Sequence, residues 1–306
     1  MTDDTMSSEA VSNQIPTVFC VVLNWNGWRD TIPCLQSLIE QDYPALQVLV
    51  VDNASTDDSV HRIREAAPAI ELLQSDANRG FASGCNLGVR HALERGADFV
   101  WLLNNDTIVS PDTLTKLVAA AVDPQTGMVG TVLRYAHNPE EVQAWGGGSV
   151  SRCMGYSTHY LGPTSLDSNS FLTFASVLLR RALMETVGLL DEGFFMYFED
   201  SDMCFRARAA GWQLAVASDT AVLHKEGGST RPEPKSRTAR ADRIVTASGL
   251  RFLRRHGRPR SIAPILFVLS KLGKRVLRGD LTGASAVLYG VRDWWHDTPM
   301  AFQGKR

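Results

Sequence analysis

The chain has 306 residues, 44% hydrophobic and 21% charged, an ordinary globular composition with enough length for one large core and an extension. No run reaches the roughly 18 apolar residues that would cross a bilayer, and residues 1–14 are polar and acidic, which reads as a disordered tail rather than a signal peptide. The net charge of −2 hides two opposite halves: residues 227–306 carry 17 Lys and Arg against 5 Asp and Glu, which leaves 14 basic and 28 acidic residues ahead of them. A split of this kind points either to a polyanionic surface as partner of the basic part or to neutralisation between the halves.

In chain order, residues 17–23 form a continuous apolar run that predicts a buried first strand, ending in Asn24-Trp25-Asn26-Gly27. Asp30 or Thr31 is placed to cap the next helix, which carries Cys34, Leu35, Leu38 and Ile39 at helical spacing until Tyr43-Pro44 stops it. A second strand stops at Asp52-Asn53. A helix over 58–66, a short strand over 70–73 and the loop Asn78-Arg79-Gly80 follow. A helix over 81–95, ended by Gly96, leads into a strand that stops at Asn104-Asn105-Asp106. Strands and helices alternating at this spacing predict an α/β fold with a doubly wound, mostly parallel sheet.

From 127 to 173 the pattern breaks into short β-like pieces rich in glycine, including Gly146-Gly147-Gly148, and predicts a less regular lobe beside the sheet. A helix over 180–187, the aromatic run Phe194 to Phe198, read as a short β-rich run that stops at Glu199-Asp200, a helix over 200–210 and a strand over 213–217 come next, and the apolar residues 221–223 end at His224. A Gly/Pro-rich hinge over 227–236 separates this body, 15–226, from a basic helical extension, 227–306, with helices over 239–256, 262–278 and 282–295. The five cysteines are scattered, without a CxxC pair and mostly in apolar segments, which predicts buried free thiols in a reducing cytoplasm.

The chemistry gathers at the strand ends, where open α/β sheets bind ligands. Asp106, flanked by short amides, suits Mg²⁺ or Mn²⁺, which prefer oxygen ligands and share them with phosphates; capping of the next helix is the simpler alternative, although Asp112 is better placed for that. Asp52 is suited to a ribose or a base edge, and Asn78-Arg79-Gly80 offers a cation and a close backbone approach to a diphosphate. Glu199-Asp200-Ser201-Asp202 opens a helix, where one acid is explained by the helix dipole and three are not. One of them can serve as general base for a hydroxyl nucleophile, and His224 can add an imidazole nitrogen to a metal shell. Neither G-x-G-x-x-G after the first strand nor a Walker A motif is present, which argues against dinucleotide enzymes and P-loop NTPases.

Taken together, VVLNWNG at 21–27, VVDNASTD at 51–58, NRGFASGCNLG at 78–88, LLNNDT at 102–107, FFMYFEDSDMCFRARAAGW at 194–212 and HKEGGS at 224–229 resemble the family-2 inverting glycosyltransferases of GT-A fold, in their rhamnosyltransferase-like branch. The resemblance covers nearly the whole body in order. It implies that Asn24, Asp52 and Asn78-Arg79-Gly80, together with Asn26 and Asn105, hold a nucleotide-sugar donor. It makes Asp106 the last acid of a DxD element holding Mg²⁺ or Mn²⁺ with His224, and Asp200 the catalytic base with Glu199 beside it. Asn104 departs from the pattern by standing where the first Asp of DxD would be, which weakens the site's charge. No QxxRW motif is present, unlike the processive synthases. The branch implies dTDP-rhamnose as donor, other hexose donors being the alternative; a glycan or lipid-linked acceptor would account for the basic extension, and Trp145 beside its three glycines and Tyr197 of the aromatic run are the candidate acceptor contacts, with ordinary packing as the alternative. A nucleotidyltransferase lacks its Gly-rich basic loop here, and a non-catalytic sugar-nucleotide-binding or scaffold protein has only Asn104 in its favour.

In the extension, Ile262, Ile265, Leu266, Leu269, Leu272 and Val276 fall on one helical stripe, with Lys271, Lys274, Arg275 and Arg278 crowding the other side. That pattern predicts either an interfacial helix on an anionic membrane, with the protein peripheral on the cytoplasmic face, or a helix packed on the body with a solvated basic face. Nucleic acid is not expected as partner, because the aromatics do not interleave with the charges.

Overall fold

The structure, a computed structural model, describes residues 15–225, 236–258 and 261–297; the tail over 1–14 and the hinge over 227–235 lie outside them. The first half alternates β1 (Val18–Asn24), α1 (Trp28–Ile39), β2 (Leu46–Asp52), α2 (Ser59–Ala66), β3 (Glu71–Gln74), α3 (Phe81–Glu94) and β4 (Phe99–Asn104). Then come β5 (Thr107–Ile108), α4 (Thr113–Ala120), β6 (Thr126–Tyr135), β7 (Asn138–Trp145), β8 (Gly147–Val150), β9 (Ser157–His159), β10 (Ser170–Leu172) and β11 (Ser176–Arg180). The body closes with α5 (Arg181–Val187), α6 (Glu199–Ala209) and β12 (Gln213–His224), and the extension is α7 (Ser236–His256), α8 (Ala263–Val276) and α9 (Leu281–Trp295).

The main sheet runs β3-β2-β1-β4-β11-β6-β12-β5, with β7 hydrogen-bonded to β6. β1, β2, β3 and β4 are mutually parallel, and β12 is parallel to β6. β11 runs antiparallel between β4 and β6, so the sheet is mixed but mostly parallel. Both faces are covered, which is why these strands read as unbroken apolar runs. Val18, Cys20, Val22 and Trp101 pack on one face with Leu35 and Leu38 of α1, Ile63 of α2 and Leu117 of α4. Phe19, Val21 and Leu102 pack on the other with Cys85 and Val89 of α3, Leu183 of α5 and Met203 of α6. The register sets Asn24 beside Asp52 and Leu23 beside Asn104, so three strands end flush.

Four expectations are corrected. β6, expected in the irregular lobe, lies inside the main sheet; only β8, β9 and β10 form the separate three-stranded piece. The expected strand over 213–217 and the apolar stretch before His224 are one strand, β12, with an irregularity between Ala217 and Ala221 that disguises its continuity. The aromatic run ahead of Glu199 is a loop: Phe194 and Phe198 point into the core, and Tyr197 and Phe198 adopt φ of +70° and +69°. Finally, α1 begins at Trp28, so Asp30 and Thr31 lie in its first turn and Gly27 is the cap.

The extension is packed onto the body. Phe252 of α7 is fully buried in the body's core, with ring centroids 5.4 Å from Phe198 and 5.3 Å from Phe205. Arg255 and His256 carry ion pairs across to Asp191 and Asp202, whereas Arg243, Arg251 and Arg275 pair with Asp293, Asp297 and Asp242 inside the extension. The two halves therefore neutralise each other only in part.

Candidate active site

The flush strand ends are tied by a chain of buried polar contacts. The Asn24 amide donates to Asp52 Oδ1 at 2.7 Å, the Thr31 hydroxyl donates to Asn24 Oδ1 at 2.9 Å, and the Asn105 amide donates to Thr31 Oγ1 at 2.8 Å. Asp52 also accepts from the Ser55 N–H at 2.9 Å and its hydroxyl at 2.6 Å. At 1% exposure Asp52 is held inside this network, and its first effect is to fix the rim that a ligand would meet. Asn26, at φ +51°, accepts from the N–H groups of Thr56 at 2.8 Å and Asp57 at 3.3 Å and so shapes the facing loop.

The 78–80 loop joins this edge to the acidic helix. Asn78 Oδ1 accepts from the Gly80 N–H at 2.9 Å and from the Asn53 amide at 3.2 Å, and Asn53 also donates to the Gly80 carbonyl at 3.1 Å. The Phe81 N–H then donates to the Phe195 carbonyl at 2.7 Å. Gly80 has φ +97°, and a Cβ there would stand 2.1 Å from the Phe195 oxygen, so only glycine permits the contact. Arg79 is exposed and forks onto Asp76 at 2.5 and 2.8 Å.

At the far side of the same edge, β12 pairs with the short β5, setting His224 opposite Thr107. His224 Nδ1 lies 2.7 Å from Gln143 Oε1, and its Nε2 lies 3.2 Å from Asp106 Oδ1. Gln143 Oε1 only accepts, so Nδ1 carries the N–H and Nε2 faces the Asp106 carboxylate, a nitrogen and an oxygen turned to one point that a cation could occupy. Asp106 and His224 therefore fit a cation. Among the described residues no group of three or more His, Cys, Asp or Glu could hold a metal, so the pair suits Mg²⁺ or Mn²⁺ completed by phosphate oxygens rather than an all-protein cage. Asn104 turns its amide toward His224 Nε2 at 3.5 Å, and the Lys225 N–H donates to the Asp106 carbonyl at 3.0 Å while its ammonium pairs with Asp30 at 2.8 Å.

The three acids at the start of α6 separate into three environments. Asp200 is partly buried; its Oδ1 accepts from the Ser201 N–H at 2.6 Å and hydroxyl at 3.2 Å, yet burial outweighs these bonds and raises its pKa to about 6. Glu199 is buried, its Oε2 has no hydrogen-bond partner, and burial together with the neighbouring Asp200 charge pushes it well above the usual carboxylate range. Of these two acids, only Glu199 is also raised by its neighbour's charge. Asp202 faces the other way. Burial alone would raise it, but the His256 hydrogen bond and the Arg206 and Arg255 guanidiniums overcome burial and bring it down to about 2. Asp202 accepts from Arg206 at 2.7 Å, Arg255 at 2.8 Å and His256 at 2.8 Å, and is thus the anchor of the extension.

Tyr197 is exposed on the strained loop just before Glu199. Trp145 lines a groove with Pro163, Thr164, Leu166, Leu214 and Val216, none of which belongs to the network above. The structure thus gathers Asn24, Asn26, Asp52, Asn78, Gly80, Asn105, Asp106 and His224 on one edge, ties the Phe195 loop ahead of Asp200 to it through Gly80, and leaves Trp145 on a separate groove. Thr31, Asn53, Ser55 and Gln143 were missed. Asn53 and Ser55 stand inside a motif already singled out, but Gln143 reaches His224 from β7 and no local pattern marks it.

Residues 16–245 match the family described as Glycosyltransferase like family 2. Over 219 residues the chain is 26% identical to the N-acetylglucosaminyl-diphospho-decaprenol L-rhamnosyltransferase of Mycobacterium tuberculosis, a match covering 63% of this chain and 71% of that protein. Over 216 residues it is 22% identical to the low-salt glycan biosynthesis hexosyltransferase Agl10 of Haloferax volcanii, covering 67% and 66%. Among solved structures, the mannosyltransferase of Pyrobaculum calidifontis in complex with GDP-Man and Mn²⁺ superposes with a TM-score of 0.59 at 21% identity, over 92% of this chain and 76% of that one. At that identity the likeness shows the fold.

Proposed function

Because this chain belongs to glycosyltransferase family 2 and so takes its sugar from a nucleotide-sugar donor, we propose that it transfers rhamnose from dTDP-rhamnose to a hydroxyl of a glycan or lipid-linked acceptor, with inversion at the anomeric carbon, in cell-surface polysaccharide or glycolipid assembly. The relative named as a rhamnosyltransferase supports the donor, and the one named as a hexosyltransferase defines the alternatives to compare.

What supports the chemistry is Asp200, partly buried at the start of α6 just after the loop that Gly80 ties to the strand-end edge, where burial raises its pKa to about 6. At neutral pH it is ionised, yet it is a stronger base than a solvated carboxylate. Both Ser201 bonds go to Oδ1, which leaves Oδ2 to take the acceptor's proton as its oxygen attacks the anomeric carbon. Burial and the Asp200 charge both favour the neutral form of Glu199, which would spare the site a second negative charge. Asp106 and His224 would hold Mg²⁺ or Mn²⁺, which when bound neutralises charge on the leaving diphosphate. Asn24, Asn26, Asn105 and the Gly80 loop form the rim on which the nucleotide lies, and Tyr197 stands where an acceptor would approach Asp200.

The test is donor hydrolysis and thermal stabilisation with dTDP-rhamnose, UDP- and GDP-hexoses, each with and without Mn²⁺. Preference for dTDP-rhamnose with Mn²⁺ stimulation is expected. Preference for another hexose would replace the donor while keeping the base, whereas turnover by Asp200→Asn would overturn the base.

A further inference from the structure

Of the two readings open for the amphipathic stretch in the extension, the structure rules on which side is buried. Ala263 and Phe267 form the inner face of α8, packed on Leu250 and Leu253 of α7, and Phe267 also lies against Gly155 and Tyr156 of the small sheet's loop. The longer apolar stripe points the other way. Ile262, Ile265, Leu269, Val276, Leu277 and Leu281 are 62, 60, 57, 58, 89 and 74% exposed, running along α8 and around the corner into α9. Leu272, expected on the stripe, is half-buried.

The charges around the stripe are mostly positive. Residues 262–281 contain four Lys and Arg and one acid, Asp280. Arg275 is spent on Asp242 at 2.7 Å and Asp280 at 3.1 Å, and Lys271 folds over the Phe267 ring, but Lys274 and Arg278 are exposed beside the corner. A continuous exposed apolar strip of this length is unusual on a soluble monomer and marks an interaction surface. Paired with itself across a two-fold axis, the strip would offer Lys274 and Arg278 no nearby acid but Asp280, which Arg275 already holds. An apolar strip whose end at the corner carries exposed cations is complementary to lipid chains beneath anionic headgroups.

We propose that the outer face of α8, with the α8–α9 corner, is a docking surface for an anionic lipid bilayer, on which the protein lies peripherally. Among the described residues no helix is long and apolar enough to cross a membrane, so attachment would be interfacial. α7 links the surface to the site, since Phe267 packs on its Leu253 while its Arg255 and His256 hold Asp202.

The experiment is co-sedimentation of the full chain with sucrose-loaded vesicles of phosphatidylcholine alone, or mixed with a quarter phosphatidylglycerol, at low and moderate salt. Binding is expected to the anionic vesicles only, weakening with salt. Ile265→Asp with Leu269→Asp should lower it at least about tenfold, and Lys274→Glu with Arg278→Glu should lower it at least about tenfold as well, each charge being worth roughly fivefold. All four side chains are exposed, so far-UV circular dichroism and melting should be unchanged, and donor hydrolysis should persist in every variant, which keeps this test separate from that of the catalytic reading. No binding to anionic vesicles, or equal binding by the apolar-to-Asp variant, would overturn the proposal. So would a lipid-free dimer that the same variant dissociates, because the strip would then be an interface between copies.

Discussion

Replacing Asp200 by Asn separates what this side chain does for catalysis from what it costs the fold. Its pKa stands at about 6 against an ordinary 3.8, a displacement of roughly two units, or about 3 kcal/mol of unfavourable ionisation in the native state. The sign follows from linkage. A raised carboxylate destabilises the fold fully above pH 6, and the penalty is relieved as pH falls from 6 towards 3.8. Asn keeps an oxygen for the Ser201 N–H and hydroxyl but weakens those bonds by about 1 kcal/mol and gives up a favourable charge at a helix N-terminus. The net expectation at pH 7.5 is a gain of about 1 to 2 kcal/mol and a melting temperature higher by a few degrees, with the underlying ionisation term roughly halved at pH 5. Turnover should fall by about 10² to 10⁴ while donor affinity stays within a few-fold. In the wild-type enzyme, kcat/KM should decline about tenfold per unit as pH drops below 6. Thermal unfolding and donor-transfer kinetics over pH 5–8 measure both. An Asn variant that is markedly less stable at pH 7.5, or one that turns over normally, refutes the reasoning.

Other expectations follow from the same geometry. Removing both Arg255 and His256 leaves Asp202 with Arg206 alone, and the loss should approach the 3–5 kcal/mol typical of a broken buried pair. Because Asp202 is depressed to about 2, its stabilisation is present above pH 4 and lost between about 4 and 2, so acid unfolding of this variant should be less steep there. Gly80→Ala forces a Cβ against the Phe195 carbonyl; turnover should drop at least about tenfold with a raised KM for donor, and an unchanged KM in steady-state kinetics would argue against the loop's role. Gln143→Leu frees the His224 ring and should raise the Mn²⁺ concentration for half-maximal activity by about 10- to 100-fold, as loss of a ligand-orienting partner usually does; an unshifted Mn²⁺ titration would separate His224 from the metal.

The strand ends were legible in the sequence because burial on both faces writes parallel strands as unbroken apolar runs, and the polar residues that stop them mark a ligand edge wherever the strands lie. Asn24, Asp52, Asn105 and Asp106 could be singled out on that ground, and the family followed from the order of the motifs. What each side chain does there was decided by tertiary structure. Successive helical residues turn by about 100°, so Glu199, Asp200 and Asp202, nearly indistinguishable as text, fall respectively into the core, at its partly buried margin on Ser201, and against α7. The insertion of β11 between β4 and β6, the reach of Gln143 to His224, and the outward turn of Ile265 and Leu269 depend on contacts between segments far apart along the chain. An amphipathic period declares that a helix has two faces; only the packing of Phe267 against α7 settles which of them is left to the solvent.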